Sequence, residues 1–512
     1  MSSQKSSPPP ESLHPWLLRG LTFFSGGAVM LVEVAGNRLL SPGFGNSLYT
    51  WTGLIGVILV ALSCGDYLGG WLVDRVPRFS LLPLMFGLGG LLTAAVPGLV
   101  KLWPSFEKLD LVTGPITVSL ALFFLPGLVL ATITPVSIRL LSRARSDEHI
   151  GQSAGTVGMA AALGSFAGTL ATSYVLIPRF GVRHIFVGLG VTLCALAVVL
   201  VLVNTRTRRK SAALLAIAIA GFAVAAWSAK EPPLAPGIVF AKDTFYHRIS
   251  VTESDTVRTL HLDSTMEGAQ VIATGELVFG YQHYWRLAEV FCPRLDRAVF
   301  LGAGAFGMPE RMSLRFPDAR ITAVEIDPEV IGVGRRYFRL AEFANIHAVA
   351  ADARRYLRTS DDRFDFVFGD AYNGVQFVPP HLVTREFFGE VGARLKPGGV
   401  FVMNLIATAQ GGGSQLFWRV MNGVRAAFPH TQLYGTKAHN PAEQQNFIIV
   451  ASAEPLEPRT DAWLRENRTA HPDLAALLAT RIDTVVAPDP AAWFTDDFNP
   501  VEYTVARQLR AQ

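Results

Sequence analysis

The chain has 512 residues, half of them hydrophobic, and only 17% charged against about 25% in an ordinary soluble protein. Its net charge of +4 is too small for this length to point to nucleic acid. Three cysteines, Cys64, Cys194 and Cys292, have neither the number nor the spacing of a disulfide framework or a zinc site, so no metal is expected.

The first twelve residues, "MSSQKSSPPPES", read as a short polar tail and not as a signal peptide. From 13 to 230 the chain is a succession of apolar runs, near 16–40, 47–73, 81–100, 115–140, 151–177, 182–203 and 212–227. A helix needs roughly 20 apolar residues to cross a bilayer, so about seven membrane helices are expected, with the lipid bilayer as a partner. Glycines within them, as in "FSGGAVM" and "AALGSFAG", allow close helix packing. Two acids interrupt the apolar surface, Glu33 and Asp66. Such groups at membrane depth either pair with a basic neighbour or mark a cation path or polyamine site.

With seven spans, one side carries Lys5, Arg19, Arg75, Arg78, Arg139, Arg143, Arg145, Arg206, Arg208, Arg209 and Lys210. The other carries Arg38, Lys101, Lys108, Arg179 and Arg183. The positive-inside rule then puts the N-terminus in the cytoplasm and the C-terminal half outside. The nucleotide-like cofactor implied below calls for a cytoplasmic domain in a bacterial inner membrane. Either one segment, the last and shortest first, does not span, or the charge bias does not set the orientation here.

After residue 240 the pattern changes to that of a soluble protein. Short alternating stretches at 249–251 and 259–262 give a small β-rich lead-in over 240–290. From 291 to 512 strands and helices alternate. "AVFLGAG" (298–304), "ITAVEID" (321–327), "IHAVAAD" (346–352), "FDFVFGD" (364–370), "GVFVMNLI" (399–406) and "QNFIIVAS" (445–452) are the expected strands. This rhythm predicts an α/β, Rossmann-like domain with a mostly parallel sheet, whose ligands bind at the carboxyl ends of the strands.

Those ends hold the candidate residues. "GAGAFG" (302–307), with Gly302 and Gly304, allows a tight turn and close approach of a ligand to backbone. Glu325, about twenty residues on, is placed to accept hydrogen bonds from ribose hydroxyls. These features serve NAD and S-adenosylmethionine equally well. Asp352, at a third strand end, and the Lys-Pro-Gly-Gly turn in "RLKPGGVFVMNL" favour the second, and the combination resembles the class I methyltransferase-type fold.

The residues from Asp243 to Ser452 resemble the spermidine synthase (polyamine aminopropyltransferase) family. The likeness rests on "LGAGAFGMPERMSLRFPDARITAVEIDPEVIGVGRRYF", "VAADARRYL" and "FDFVFGDAYNG". With membrane helices in front, the whole chain resembles that family's membrane-fused bacterial branch. The resemblance implies that Glu325 holds the ribose, that Asp352 and Ala353 contact adenine, and that Asp370 is the general base. It implies cofactor contact by Gln270, with Glu267 as the competing position. Tyr281 and Gln282 would gate the acceptor amine, Asn373 would hold it, and Pro380 would lie in the closing loop. The co-substrate would be decarboxylated S-adenosylmethionine, the partner a small-molecule amine, and the assembly a homodimer.

Three departures are losses of acid. Ala305 stands where the family's glycine loop carries an aspartate, Asn373 where a second aspartate follows the base, and His283 where the gate ends in glutamate. Ala305 removes a charge that would repel the carboxylate of intact S-adenosylmethionine. Use of that donor, by methyl transfer or by release of methylthioadenosine in a lyase or cyclisation reaction, is therefore the alternative. A non-catalytic polyamine sensor or transporter is the further alternative.

Overall fold

The computed structural model describes residues 15–510 except 77, 104–108, 145–149, 204–210, 231–233, 373–377, 439, 483–488 and 490–491. It divides into two compact units, Met1–Pro233 and Leu234–Gln512.

In the first unit, among the described residues, seven helices are long and apolar enough to cross a membrane. They are Pro15–Phe44, Leu48–Arg75, Leu81–Leu102, Gly114–Arg143, Ile150–Leu176, Val182–Val203 and Ala212–Ala229. The fourth is broken at Phe123 and Thr132. Pro126 and Pro135 explain the breaks, since each lacks the N–H that would bond the carbonyl four residues earlier. Glu33 is half-buried in the first helix, Asp66 is exposed on the second, and Asp74 pairs with Arg139 at 3.4 Å.

The first and fifth helices cross through glycine. A Cβ on Gly164 would lie 1.8 Å from the Phe23 carbonyl oxygen, and one on Gly168 would lie 2.5 Å from the Gly27 carbonyl oxygen. Backbone packs on backbone here, which is how apolar helices gain contact in a solvent as apolar as themselves.

The second unit begins with a four-stranded antiparallel meander of β1 (Ile238–Asp243), β2 (Arg248–Glu253), β3 (Val257–Leu262) and β4 (Thr265–Val271). A seven-stranded sheet follows. Its strands are β5 (Arg297–Leu301), β6 (Arg320–Glu325), β7 (Ile346–Ala350), β8 (Phe364–Gly369), β9 (Leu395–Ala407), β10 (His430–Gly435) and β11 (Gln445–Ser452), in the order β10-β11-β9-β8-β5-β6-β7. The five strands from β9 to β7 are parallel, and β11 and β10 are antiparallel. The parallel strands are apolar because helices cover both faces. Val299, Phe300, Leu301, Phe366, Val367 and Phe368 are all buried, and the rings of Phe300, Phe366 and Phe368 pack together.

The structure adds β1, β4 and β10 to the strands expected from sequence. It also changes the Lys-Pro-Gly-Gly turn. Phe364 pairs with Leu395 but Phe366 pairs with Val400, so residues 396–399 bulge within β9 instead of preceding it. Gly398, at φ +73°, supplies the left-handed backbone this needs.

The glycine crossing gives a direct prediction. Gly164→Leu should cost about 1–3 kcal/mol or more by overpacking. Gly158→Leu, where a Cβ meets nothing within 4 Å, should be neutral. Thermal unfolding of the two detergent-solubilised variants checks this, and equal melting temperatures would contradict it.

Candidate active site

The turn after β5 is the pivot. Gly302 has φ +90°, and a Cβ on it would lie 2.3 Å from the carbonyl oxygen of Asp370. The turns after β5 and β8 are therefore in contact, and the Asp370 N–H extends the ladder to the Leu301 carbonyl at 2.9 Å. The chain leaves β5 for β6 on one side and β8 continues to β9 on the other, so this is where the sheet opens a crevice at its carboxyl edge.

That crevice is a cleft holding about 850 Å³ of space, open mouth included. It is lined by Gly302, Gly304, Glu325, Asp352, Ala353, Asp370 and Gln282, seven positions expected from sequence. His247, Glu267, Met308, Tyr372, Pro379 and His381 also line it.

Each acid is held differently. Glu325, at the end of β6, is 6% exposed and accepts from the Ala303 N–H at 3.4 Å and the Asp327 N–H at 3.2 Å. Burial nevertheless raises its pKa. Asp352 caps the helix Ala353–Thr359, with Oδ1 accepting from the Arg355 N–H at 2.8 Å. Its Oδ2 lies 2.8 Å from His381 Nε2, and that bond holds the carboxyl below the usual aspartate range. Asp370 Oδ1 accepts from Asn404 Nδ2 at 2.8 Å, and the Tyr281 hydroxyl is a second donor. Burial outweighs both bonds and pushes Asp370 up to about 6.

Asp370 is supported from behind. Asn446 Nδ2 donates to Asn404 Oδ1 at 3.0 Å, which fixes the amide so that its nitrogen faces Asp370. The Tyr372 hydroxyl donates to the Asn404 carbonyl at 3.1 Å and accepts from the Ile406 N–H at 2.9 Å.

The remaining expected residues fall elsewhere. Gln270 lies outside the cavity lining; it is 4% exposed and donates to Glu310 Oε2 at 2.9 Å, a carboxyl that burial pushes up to about 8. Glu267, its competitor, is in the cavity. Tyr281 meets the site through its hydroxyl on Asp370. Pro380 adjoins the lining residue Pro379, and its carbonyl accepts from Asn499 at 2.6 Å. Ala305 is buried against Gly268 and His283 is exposed. Asn373 lies outside the described residues.

The sequence pattern gives no sign of His247. It is 8% exposed, with Nδ1 3.0 Å from Asp263 Oδ2. Asp263 is at φ 55°, a strained conformation for a non-glycine residue, and its Oδ1 accepts from the Arg248 N–H at 2.9 Å. Burial opposes a charge on His247. The bond and charge of Asp263, with Glu325 and Asp327 behind it, outweigh burial and raise the His247 pKa. The signal lies in the hairpin register: Ile249 pairs with Leu262, which brings 247 and 263 together.

The C-terminal segment fixes the cavity wall. Arg354, 6% exposed, makes two bonds of 2.7 Å to the carboxylate of Asp496 and further bonds to Glu390. It also donates to the carbonyl of His381 at 3.1 Å. Asn499 holds the neighbouring Pro380, so the loop bearing Pro379 and His381 is stapled at two points.

Residues 299–399 match the family described as "Methyltransferase domain". The polyamine aminopropyltransferase of Vibrio vulnificus is 29% identical over 184 residues, which cover 34% of this chain and 60% of that protein. Polyamine aminopropyltransferase 2 of Aquifex aeolicus is 21% identical over 448 residues, 85% of this chain and 87% of that one. The crystal structure of a probable spermidine synthase from Corynebacterium glutamicum matches with a TM-score of 0.38 and 21% identity, covering 44% of this chain and 81% of that chain. The chain spans about 60% of the Vibrio protein and half of a Bifidobacterium longum relative of similar name.

Arg354→Met should lower stability by about 1–2 kcal/mol, because Asp496 loses its two-bonded partner while the part-exposed Glu390 keeps Arg358. Chemical unfolding measures this. No loss of stability would show that the clamp holds nothing in place.

Proposed function

We propose that the chain is a membrane-anchored transferase that moves an aminopropyl group from decarboxylated S-adenosylmethionine to an amine such as putrescine, releasing methylthioadenosine. The observation that carries this reading is Asp370: a half-buried carboxylate, oriented by Asn404 and Tyr281, in the cavity that also holds Glu325 and Asp352. The relatives named polyamine aminopropyltransferase support the same chemistry.

The donor's ribose would meet Glu325 and its adenine Asp352. The acceptor arrives as an ammonium with a pKa of about 10, and must lose a proton before it can attack. Asp370 takes that proton. The freed nitrogen attacks the carbon next to sulfur, the C–N bond forms as the C–S bond breaks, and the electron pair neutralises the sulfonium. An ordinary aspartate is a weak base. At about 6, Asp370 is ionised near neutral pH and still basic enough to assist.

The seven apolar helices would anchor this unit to a bacterial inner membrane, with the soluble unit on the cytoplasmic side. Protease access in right-side-out against inverted vesicles tests the side.

A second reading, intact S-adenosylmethionine as donor, is favoured by His247. An imidazole whose protonated form is favoured by Asp263, lining the cavity, suits a ligand that carries a carboxylate.

Incubation of the purified protein with either donor, with and without putrescine, separates the two readings by their products. Under the leading reading, methylthioadenosine and spermidine form together from the decarboxylated donor. Asp370→Asn should then lower the rate by about 10²–10⁴-fold. The wild-type rate should rise with pH through about 6, because the base works deprotonated, and this rise should vanish in the variant. Absence of methylthioadenosine from both donors would overturn the proposal.

A further inference from the structure

The cavity holds more acid than one proton transfer uses. Glu267, in β4, lines it, and its Oε1 accepts from the Thr265 hydroxyl at 2.6 Å. Its Oε2 accepts no hydrogen bond among the described residues. β4 is laid directly on the glycine turn. A Cβ on Gly304 would lie 2.8 Å from the Glu267 carbonyl oxygen, and one on Gly268 would lie 2.6 Å from Ala305 Cβ. Glu267 therefore stands over the turn, next to the position where Ala305 offers no charge.

Gln282 provides an independent observation. It lines the same cavity, is 4% exposed, and its Oε1 has no hydrogen-bond partner among the described residues. Asp370, which already accepts from Asn404 and from the Tyr281 hydroxyl, adds a third carboxylate or amide oxygen to the same cavity. A buried acceptor left without a donor, as Gln282 Oε1 is, is costly unless a ligand supplies one. A group that brings several N–H donors and a positive charge is a primary ammonium.

We infer that Glu267 anchors the terminal ammonium of the adenosyl-sulfonium donor, taking from β4 the place that the glycine turn leaves empty at Ala305. This rests on the transfer reading above and names the residue that makes the donor's amine a requirement. The electrostatics agree. Burial pushes the Glu267 carboxyl up to about 7, and the charges of Asp370 and Glu325 add to that. A cation bound there relieves the cost of ionising it. Methylthioadenosine, which lacks the amine, has no use for Glu267.

The test is calorimetric titration of the full chain in detergent with methylthioadenosine, decarboxylated S-adenosylmethionine and S-adenosylmethionine. Glu267→Gln should weaken both amine-bearing donors by about ten-fold or more. It should leave methylthioadenosine binding unchanged, which also shows that the variant is folded. Equal weakening of all three ligands, or unchanged binding of the donors, would overturn the role of Glu267 while leaving the transfer reading intact. Failure of the wild-type protein to bind any of the three would overturn both.

Discussion

Everything in the soluble unit depends on two backbones touching at the carboxyl edge of the sheet. Gly302 sits so close to the Asp370 carbonyl that no side chain fits between them. The contact lets the turn after β5 lie flat beneath the crevice. It turns the Ala303 N–H toward Glu325 and fixes Asp370 at the crevice floor. A side chain at 302 would force apart the strands that position both carboxylates.

The same chemical group then serves several ends because its surroundings differ. Asp352 is held ionised by His381 at the half-buried edge of the cavity. Glu325 is buried, with two backbone N–H groups as its compensation. Asp370 and Glu267 share a less solvated region, where burial raises both to about 6 and 7. The cavity thus runs from a settled negative charge at one wall to acids poised near neutrality at another.

The first unit follows a different rule. Its helices are apolar enough to cross a membrane, where apolar surface alone would give no drive to associate, and their contact area is gained by bringing backbones together. Gly164 and Gly168 against Phe23 and Gly27 do this for one pair of helices. Proline supplies the breaks at Phe123 and Thr132. Both features are written in local composition, which is why the spans are legible as apolar runs along the chain.

Sequence alone determined much of the site. Strand ends are marked by abrupt polar residues after apolar runs, so Glu325, Asp352 and Asp370 are readable from hydropathy and spacing. The glycine turn is visible because few residues other than glycine tolerate φ near +90°. What needs long-range contact is not legible. Lys396 to Gly399 has the local chemistry of a turn, because the bulge depends on the register between β8 and β9. Gln270 and Glu267 share a short strand, and which of them faces the cavity depends on how β4 lies against Ala305. His247 becomes a cavity residue only because Asp263, in a turn sixteen residues later, accepts a strained backbone to hold it. Asp496 meets Arg354 across 142 residues. Local pattern fixes which face a side chain takes and where a strand ends. Which distant partner meets it there is decided by packing, and in this protein that packing sets the charge of the site.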